Sequence, residues 1–205
     1  MGLHQGDLSH PRNRTLAAWL LPVFAASIAV IFALFGDAGR DGLAFFRPAI
    51  ATGQIWRLVS GHFVHLGASH LLMNVAGLLL TWYLIGTSFS RGQWLLVAGL
   101  VIAGIDIGFW FFEPQLLWYV GLSGLLHGLL AAGVVASLRS ARIEVWIIAV
   151  ALIGKLTYEQ LVGPLPGSEE SSGGNVIVAA HAYGAFAGVL AAGLIRIRVR
   201  DQAAI

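Results

Sequence analysis

Six apolar runs, each about the length of a membrane crossing, constrain this chain more than any other feature. They read Leu16 to Phe35, Leu66 to Ile85, Trp94 to Phe112, Leu116 to Leu138, Val145 to Val162 and Val176 to Ile195. A helix rises 1.5 Å per residue, so about 20 residues cross a hydrocarbon core of roughly 30 Å. Inside that core every backbone N–H and C=O must be satisfied within the segment, which a helix does and an open strand does not. The fold class this predicts is all-α: a polytopic membrane protein, a six-transmembrane-helix bundle forming a single domain over residues 1–205 with the lipid bilayer as its solvent. The chain is 58% apolar and 11% charged, against about a quarter charged in soluble domains. Most connections between the runs are short; only Gly36 to His65 is long enough to hold structure of its own.

Arg12 and Arg14 precede the first run as they would in a signal peptide. That run, however, is long and lacks a small-residue cleavage site, so it reads as a retained anchor. The chain has no cysteine, which excludes thiol catalysis, disulfides and cysteine-ligated zinc. The basic residues lie beside the helices and speak to topology and lipid headgroups; no nucleic-acid partner is indicated. With six spans, one face carries Arg12, Arg14, Arg91, Arg139, Arg142, Arg196, Arg198 and Arg200, and the other only Arg40, Arg47 and Arg57. The positive-inside rule makes the first face cytoplasmic, with both termini on it. No inverted repeat of the transporter kind is visible.

Polar groups at bilayer depth cost several kcal/mol unless they meet partners or water, so they are candidates for function. Counted along the helices, His70, Asn74, Ser123 and His181 fall at a common level, roughly 6 to 12 Å below the outer surface. A hydroxyl, an imidazole and two donors at one depth are what acyl transfer needs for attack, proton transfer and oxyanion stabilisation. Ser123 sits between Gly121 and Gly124 in Gly-Leu-Ser-Gly, where missing side chains admit a backbone to the hydroxyl. A serine among glycines in a membrane helix also serves simple packing or back-bonding. His181 shares its helix with Gly184 and Gly188, a four-residue spacing that makes a flat face for close helix approach. Its near-neutral imidazole suits proton exchange with a serine, or a histidine satisfied inside the bundle. His70 and Asn74 are four apart on one face; they could aim donors at an oxyanion or bond another helix.

At this point the sequence resembles the rhomboid intramembrane proteases. Three blocks carry the likeness: Trp56-Arg57, then His65 and His70-Leu-Leu-Met-Asn74; Gly121-Leu-Ser-Gly124; and Ala180-His181 with Gly184 and Gly188. The resemblance implies an intramembrane serine endopeptidase acting on transmembrane protein substrates, with a dyad of Ser123 and His181 and no acid. His70, Asn74 and the Ser123 N–H would bind the oxyanion, with Gly121, Gly124 and Gly184 in support and no metal or cofactor. Rhomboids often have an aromatic residue four after the serine; here it is His127, which would orient His181, compete with it or bridge helices, a supporting role being favoured. The form Gly-Leu-Ser-Gly-Leu-Leu-His-Gly from Gly121 to Gly128, with Lys155-Leu-Thr-Tyr-Glu-Gln160 and Ala180-His-Ala-Tyr-Gly184, further resembles the rhombosortase subgroup. Membership there would imply bacterial surface proteins with C-terminal Gly-Gly tails as substrates, and a bacterial cytoplasmic (inner) membrane location.

Lys155 and Glu159 form an i, i+4 pair within an apolar run. Glu159 and Asp106 both lie near the depth of His181, so either could be a third catalytic member, with internal pairing the favoured account. Trp56 and Arg57 suit an interfacial anchor, the guanidinium on phosphates or carbonyls. Two competing readings remain: a catalytically silent rhomboid-like protein that binds transmembrane helices, and a metal site built on His62, His65 and His70, which lacks the His-Glu-x-x-His pattern of the zinc proteases.

Overall fold

The computed structural model describes residues 19–140 and 142–203, with residue 140 and residues 197–203 in backbone alone. Arg12, Arg14 and positions 16–18 of the first run lie outside the described residues, as do the side chains of Arg198 and Arg200. Nearly all of what is described is helical. In chain order the elements are α1 (Leu20–Leu34), α2 (Gly36–Leu43), β1 (Phe45–Phe46), α3 (Arg47–Ala51), α4 (Arg57–Ser60), a 3-10 turn (Gly61–Phe63), α5 (Ala68–Ile85) and α6 (Arg91–Phe112). Then follow β2 (Trp118–Tyr119), α7 (Ser123–Ser137), a 3-10 turn (Leu138–Ser140), α8 (Ile143–Leu161), α9 (Ser168–Ser172) and α10 (Val178–Ala203).

Among the described residues, three helices are long and apolar enough to cross a membrane: α5, α6 and α10. The bent pair of α1 and α2, turned by 117°, makes a fourth if counted as one span. The remaining two predicted runs fall short for separate reasons. Helix α8 carries Glu144, Lys155 and Glu159, and α7 has only 15 residues, about 22 Å of rise. The run from Leu116 was expected to be helical from its start. Instead α7 begins only at Ser123, and within the residues before it β2 pairs antiparallel with β1, Phe45 opposite Tyr119 and Phe46 opposite Trp118. Gly121 then turns the chain at φ 133°, a conformation open to glycine and strained for residues with a Cβ. The last helix, predicted to stop at Ile195, runs on to Ala203.

The long first connection is what pins that extended segment. Arg47 donates to the carbonyls of Phe109 at 2.5 Å, Glu113 at 2.8 Å and Leu116 at 3.0 Å, tying the C-terminus of α6 to the chain that follows it. The Gly121 N–H donates to the Gly61 carbonyl at 3.1 Å. Arg57, expected at the interface on phosphates or carbonyls, takes the carbonyls: it is buried, donating to those of Asp41 at 2.8 Å and Ala44 at 2.7 Å and to the Gln54 side chain at 2.7 Å. A planar fork of donors suits this clasp of two backbone carbonyls and a side-chain amide. Trp56 is half exposed, its indole N–H on the Gly42 carbonyl at 3.3 Å.

Helix α10 is central, packing most extensively on α7 and next on α6. The fit against α7 is backbone to backbone. A Cβ on Gly184 would run into the Gly124 carbonyl oxygen, and one on Gly188 into that of Gly128. Two glycine pairs at four-residue spacing thus interlock, the small-residue packing that drives helix association in lipid. Val97, Val101, Ile105 and Phe109 of α6 are fully buried at every fourth position, one face of a helix. The outside of the bundle is apolar as well: Leu72, Tyr83, Phe111, Val150, Ile153, Phe186 and Leu190 are exposed. Hydrophobic side chains on both the inside and the outside describe an integral, multi-pass membrane protein.

Candidate active site

Ser123 is the first residue of α7. The first N–H groups of a helix have no acceptor within it, and the helix dipole is positive there. His181 comes from the first turns of α10, and the glycine interlock with α7 brings it within reach of the serine. His181 Nε2 lies 2.9 Å from Ser123 Oγ. Its other nitrogen, Nδ1, lies 2.9 Å from Glu159 Oε2 of α8, and Glu159 Oε1 accepts from Lys155 Nζ at 2.6 Å. Four side chains from three helices form one chain of hydrogen bonds.

The tautomer follows from the partners. A carboxylate accepting from the Lys155 ammonium can only accept from His181, so Nδ1 carries the proton and donates. Nε2 then presents its lone pair to the Ser123 hydroxyl, which donates to it. His181 and Glu159 are buried, while Ser123 is half-buried.

His127 shares the face of Ser123 one turn on, as its spacing predicts. Its ring stacks on that of His181, centroids 4.1 Å apart and planes within 18°. Its Nδ1 sits 2.7 Å from the Ser123 carbonyl oxygen and must donate, because a carbonyl only accepts. Committed to that carbonyl and not to the hydroxyl, His127 is placed to fix the plane of the His181 ring. His127, Glu159 and His181 offer ligand atoms within 4.8 Å of one another. The His181 and Glu159 atoms are already hydrogen-bonded to each other, His127 Nδ1 is bonded to the Ser123 carbonyl, and Lys155 supplies positive charge there, so the cluster is poorly arranged as a convergent ligand set.

A cavity of about 310 Å³ opens over the serine, lined by His70, Asn74, Ser123, His127 and His181 and, from the α8–α10 connection, by Ser168 and Val176. The structure therefore brings together all four residues that the sequence placed at one depth. His70 Nδ1 accepts from the Leu66 N–H at 3.3 Å, which leaves Nε2 protonated and turned to the cavity beside Gly121. A Cβ on Gly121 would lie 3.2 Å from that Nε2. Asn74 Nδ2 is buried with no hydrogen-bond partner among the described residues. A buried donor without a partner is costly and rare, and this one belongs to a residue lining the cavity above Ser123.

Of the histidines considered as metal ligands, His62 is paired elsewhere and the other two touch. His62 Nε2 is 3.4 Å from Asp106 Oδ1, while His65 packs edge-on to His70 with centroids 5.0 Å apart. Asp106 is thereby assigned to His62 and not to His181. His65, in the connection ahead of α5, is held down to about 3 by its burial and, secondarily, by His70. Burial, and then Asp106, push the Tyr119 phenol up; its hydroxyl donates to the Gly121 carbonyl at 2.6 Å and braces the turn before Ser123. Tyr119 was absent from the sequence-based candidates, since an aromatic at the edge of an apolar run carries no mark of its partner. The contact from Glu159 to His181 was visible only as a shared depth.

The profile of the Rhomboid domain matches residues 52–198. The chain is 34% identical over 91 residues to the protein named "Putative rhomboid protease YdcA" of Bacillus subtilis (strain 168), covering 44% of this chain and 45% of that one. The chain thus matches less than half the length of that relative. No solved structure matches.

Proposed function

Starting from a chain that belongs to the rhomboid family, we propose that it is an intramembrane serine endopeptidase with Ser123 as nucleophile and His181 as general base and acid. The observation that carries this reading is the 2.9 Å contact between Ser123 Oγ and His181 Nε2 at the floor of a cavity edged by donors. Ser123 Oγ attacks the scissile carbonyl carbon as its proton passes to Nε2, forming a C–O bond and an oxyanion. His70 Nε2–H, Asn74 Nδ2 and the N-terminal N–H groups of α7 surround that oxyanion. Collapse breaks the C–N bond, with the imidazolium proton going to the leaving amine. Water then gives a proton to Nε2 and adds to the acyl carbon; the C–Oγ bond breaks and the imidazolium proton returns to Ser123 Oγ, freeing the acid product. Gly121, Gly124 and Gly184 admit the substrate backbone and the close helix contact, and His127 supports the ring of His181.

We place the chain in the rhombosortase subgroup on the Gly121 to Gly128 sequence, the Lys155 to Gln160 stretch and Ala180 to Gly184. Its substrates are then membrane-anchored proteins with a C-terminal Gly-Gly motif, an apolar helix and a basic end. Residues 1–205 form one domain crossing the bacterial cytoplasmic membrane six times, α7 and α8 included, with both termini inside by the distribution of arginine. The site opens toward the outer face. The test is co-reconstitution in liposomes with a single-span protein bearing such a tail. Wild type yields two fragments whose masses define one cleavage site, and Ser123→Ala yields none. An intact substrate beside folded wild type, or cleavage by Ser123→Ala, overturns the reading.

A further inference from the structure

Helix α8 is a poor structural member of the bundle. Of its 19 residues only Val145 and Glu159 are buried, while Trp146, Ile147, Val150, Ile153 and Leu161 face outward. Apart from one valine near its start, the group this helix carries into the interior is a carboxylate. Burying an ion pair seldom stabilises a fold, because desolvation cancels the attraction. A lysine and glutamate one turn apart near a helix end can also satisfy each other while reaching toward water. Here the carboxylate turns inward with its side chain 2% exposed, and its two oxygens divide the work, one on Lys155 Nζ at 2.6 Å and the other on His181 Nδ1 at 2.9 Å.

We propose that Glu159 is a positioning residue of this site, fixing the His181 ring in the tautomer that presents Nε2 to Ser123, and that Lys155 holds Glu159 in place. The inference rests on the protease reading above and adds a third member to its Ser-His pair. Three constraints then act on one imidazole: Glu159 at Nδ1, Ser123 at Nε2 and the stacked His127 on its face. The carboxylate also stabilises the imidazolium that forms when Ser123 gives up its proton. Besides Glu159, the polar and charged groups facing His181 are Ser123 and His127 from α7, Lys155 from α8 and His70 from α5 across the cavity. Removing a negative neighbour and removing a positive one must act on the charge of the imidazolium in opposite directions.

The experiment measures the rate at which a fluorophosphonate labels the full-length protein in detergent, from pH 5 to 9, for wild type, Glu159→Gln, Glu159→Asp and Lys155→Met. Glu159→Gln should slow labelling by about 100-fold or more at neutral pH and move the half-maximal pH down by about one unit. Glu159→Asp should recover part of the rate, and Lys155→Met should move the half-maximal pH up. A merely structural ion pair predicts instead that Glu159→Gln and Lys155→Met both lower the melting temperature and leave the pH profile in place. Labelling of Glu159→Gln at the wild-type rate and midpoint overturns the positioning role while the protease reading stands. If Glu159→Gln does not fold, an upward shift in Lys155→Met supports the role and an unmoved profile overturns it. Absence of labelling in folded wild type overturns the protease reading and this inference with it.

Discussion

A single methyl group at Gly184 should disable the site without unfolding the protein. In the native packing a Cβ there would run into the Gly124 carbonyl oxygen and lie 3.0 Å from its carbon. Because ordinary contacts begin near 3.4 Å and the opposing atoms are helix backbone with no rotamer to change, α10 must move away from α7 by about 1 Å. His181 rides on α10 three residues before Gly184, while Ser123 rides on α7 one residue before Gly124. Their 2.9 Å hydrogen bond would open toward 4 Å, beyond hydrogen-bonding range. Misplacing a catalytic group by about 1 Å costs about 10²-fold in rate, and overpacking of this kind costs about 1–3 kcal/mol of stability. Gly193→Ala on the same helix is the control, since a Cβ there meets nothing within 4 Å. The assay is the fluorophosphonate labelling rate beside the thermal midpoint in detergent. Gly184→Ala labelled as fast as Gly193→Ala would refute the argument that the glycine interlock sets the distance between serine and histidine.

Further outcomes follow from the same geometry. Asn74→Ala should lower substrate turnover by about 10²-fold while leaving the melting temperature unchanged or slightly raised, because the donor removed is unpartnered at rest; a fall in stability without loss of rate would contradict its role. His127→Phe keeps the stack on His181 but loses the bond to the Ser123 carbonyl, so cleavage assays should find reduced, measurable activity, whereas complete loss with the fold intact would make His127 catalytic. His65 is neutral in the fold down to about pH 3, from an ordinary value of 6.5. Its contribution to stability is therefore fully present above pH 6.5 and is lost as pH falls from there toward 3. The melting temperature should drop less between pH 7 and pH 4.5 in His65→Leu than in wild type, and parallel curves would refute this.

How much the sequence disclosed depended on whether a signal was local. Helix existence was legible, because apolar runs of bilayer length have few alternatives in lipid. The non-helical start of the fourth run was not, since Leu116 to Leu122 is as apolar as a helix and its conformation is set by β1 and by Gly61, far away in the chain. The common depth of His70, Asn74, Ser123 and His181 could be counted along separate helices, and the convergence of the last two follows from glycine spacings in α7 and α10. Glu159 shows the limit. One-turn spacing revealed its partner Lys155, but the direction of its second oxygen depends on how α8 is rotated against α10. Arg57 shows it too, for an exposed guanidinium and one clasping carbonyls beneath a loop are the same letter.

The central claim is that Ser123 is an activated nucleophile. Its most direct test is reaction of purified protein with a fluorophosphonate, followed by mass spectrometry of the modified peptide. The account predicts one adduct, on Ser123, in wild type, and none in Ser123→Ala or His181→Ala of unchanged melting temperature. A folded wild type that stays unmodified, or an adduct on another residue that persists in Ser123→Ala, would contradict it.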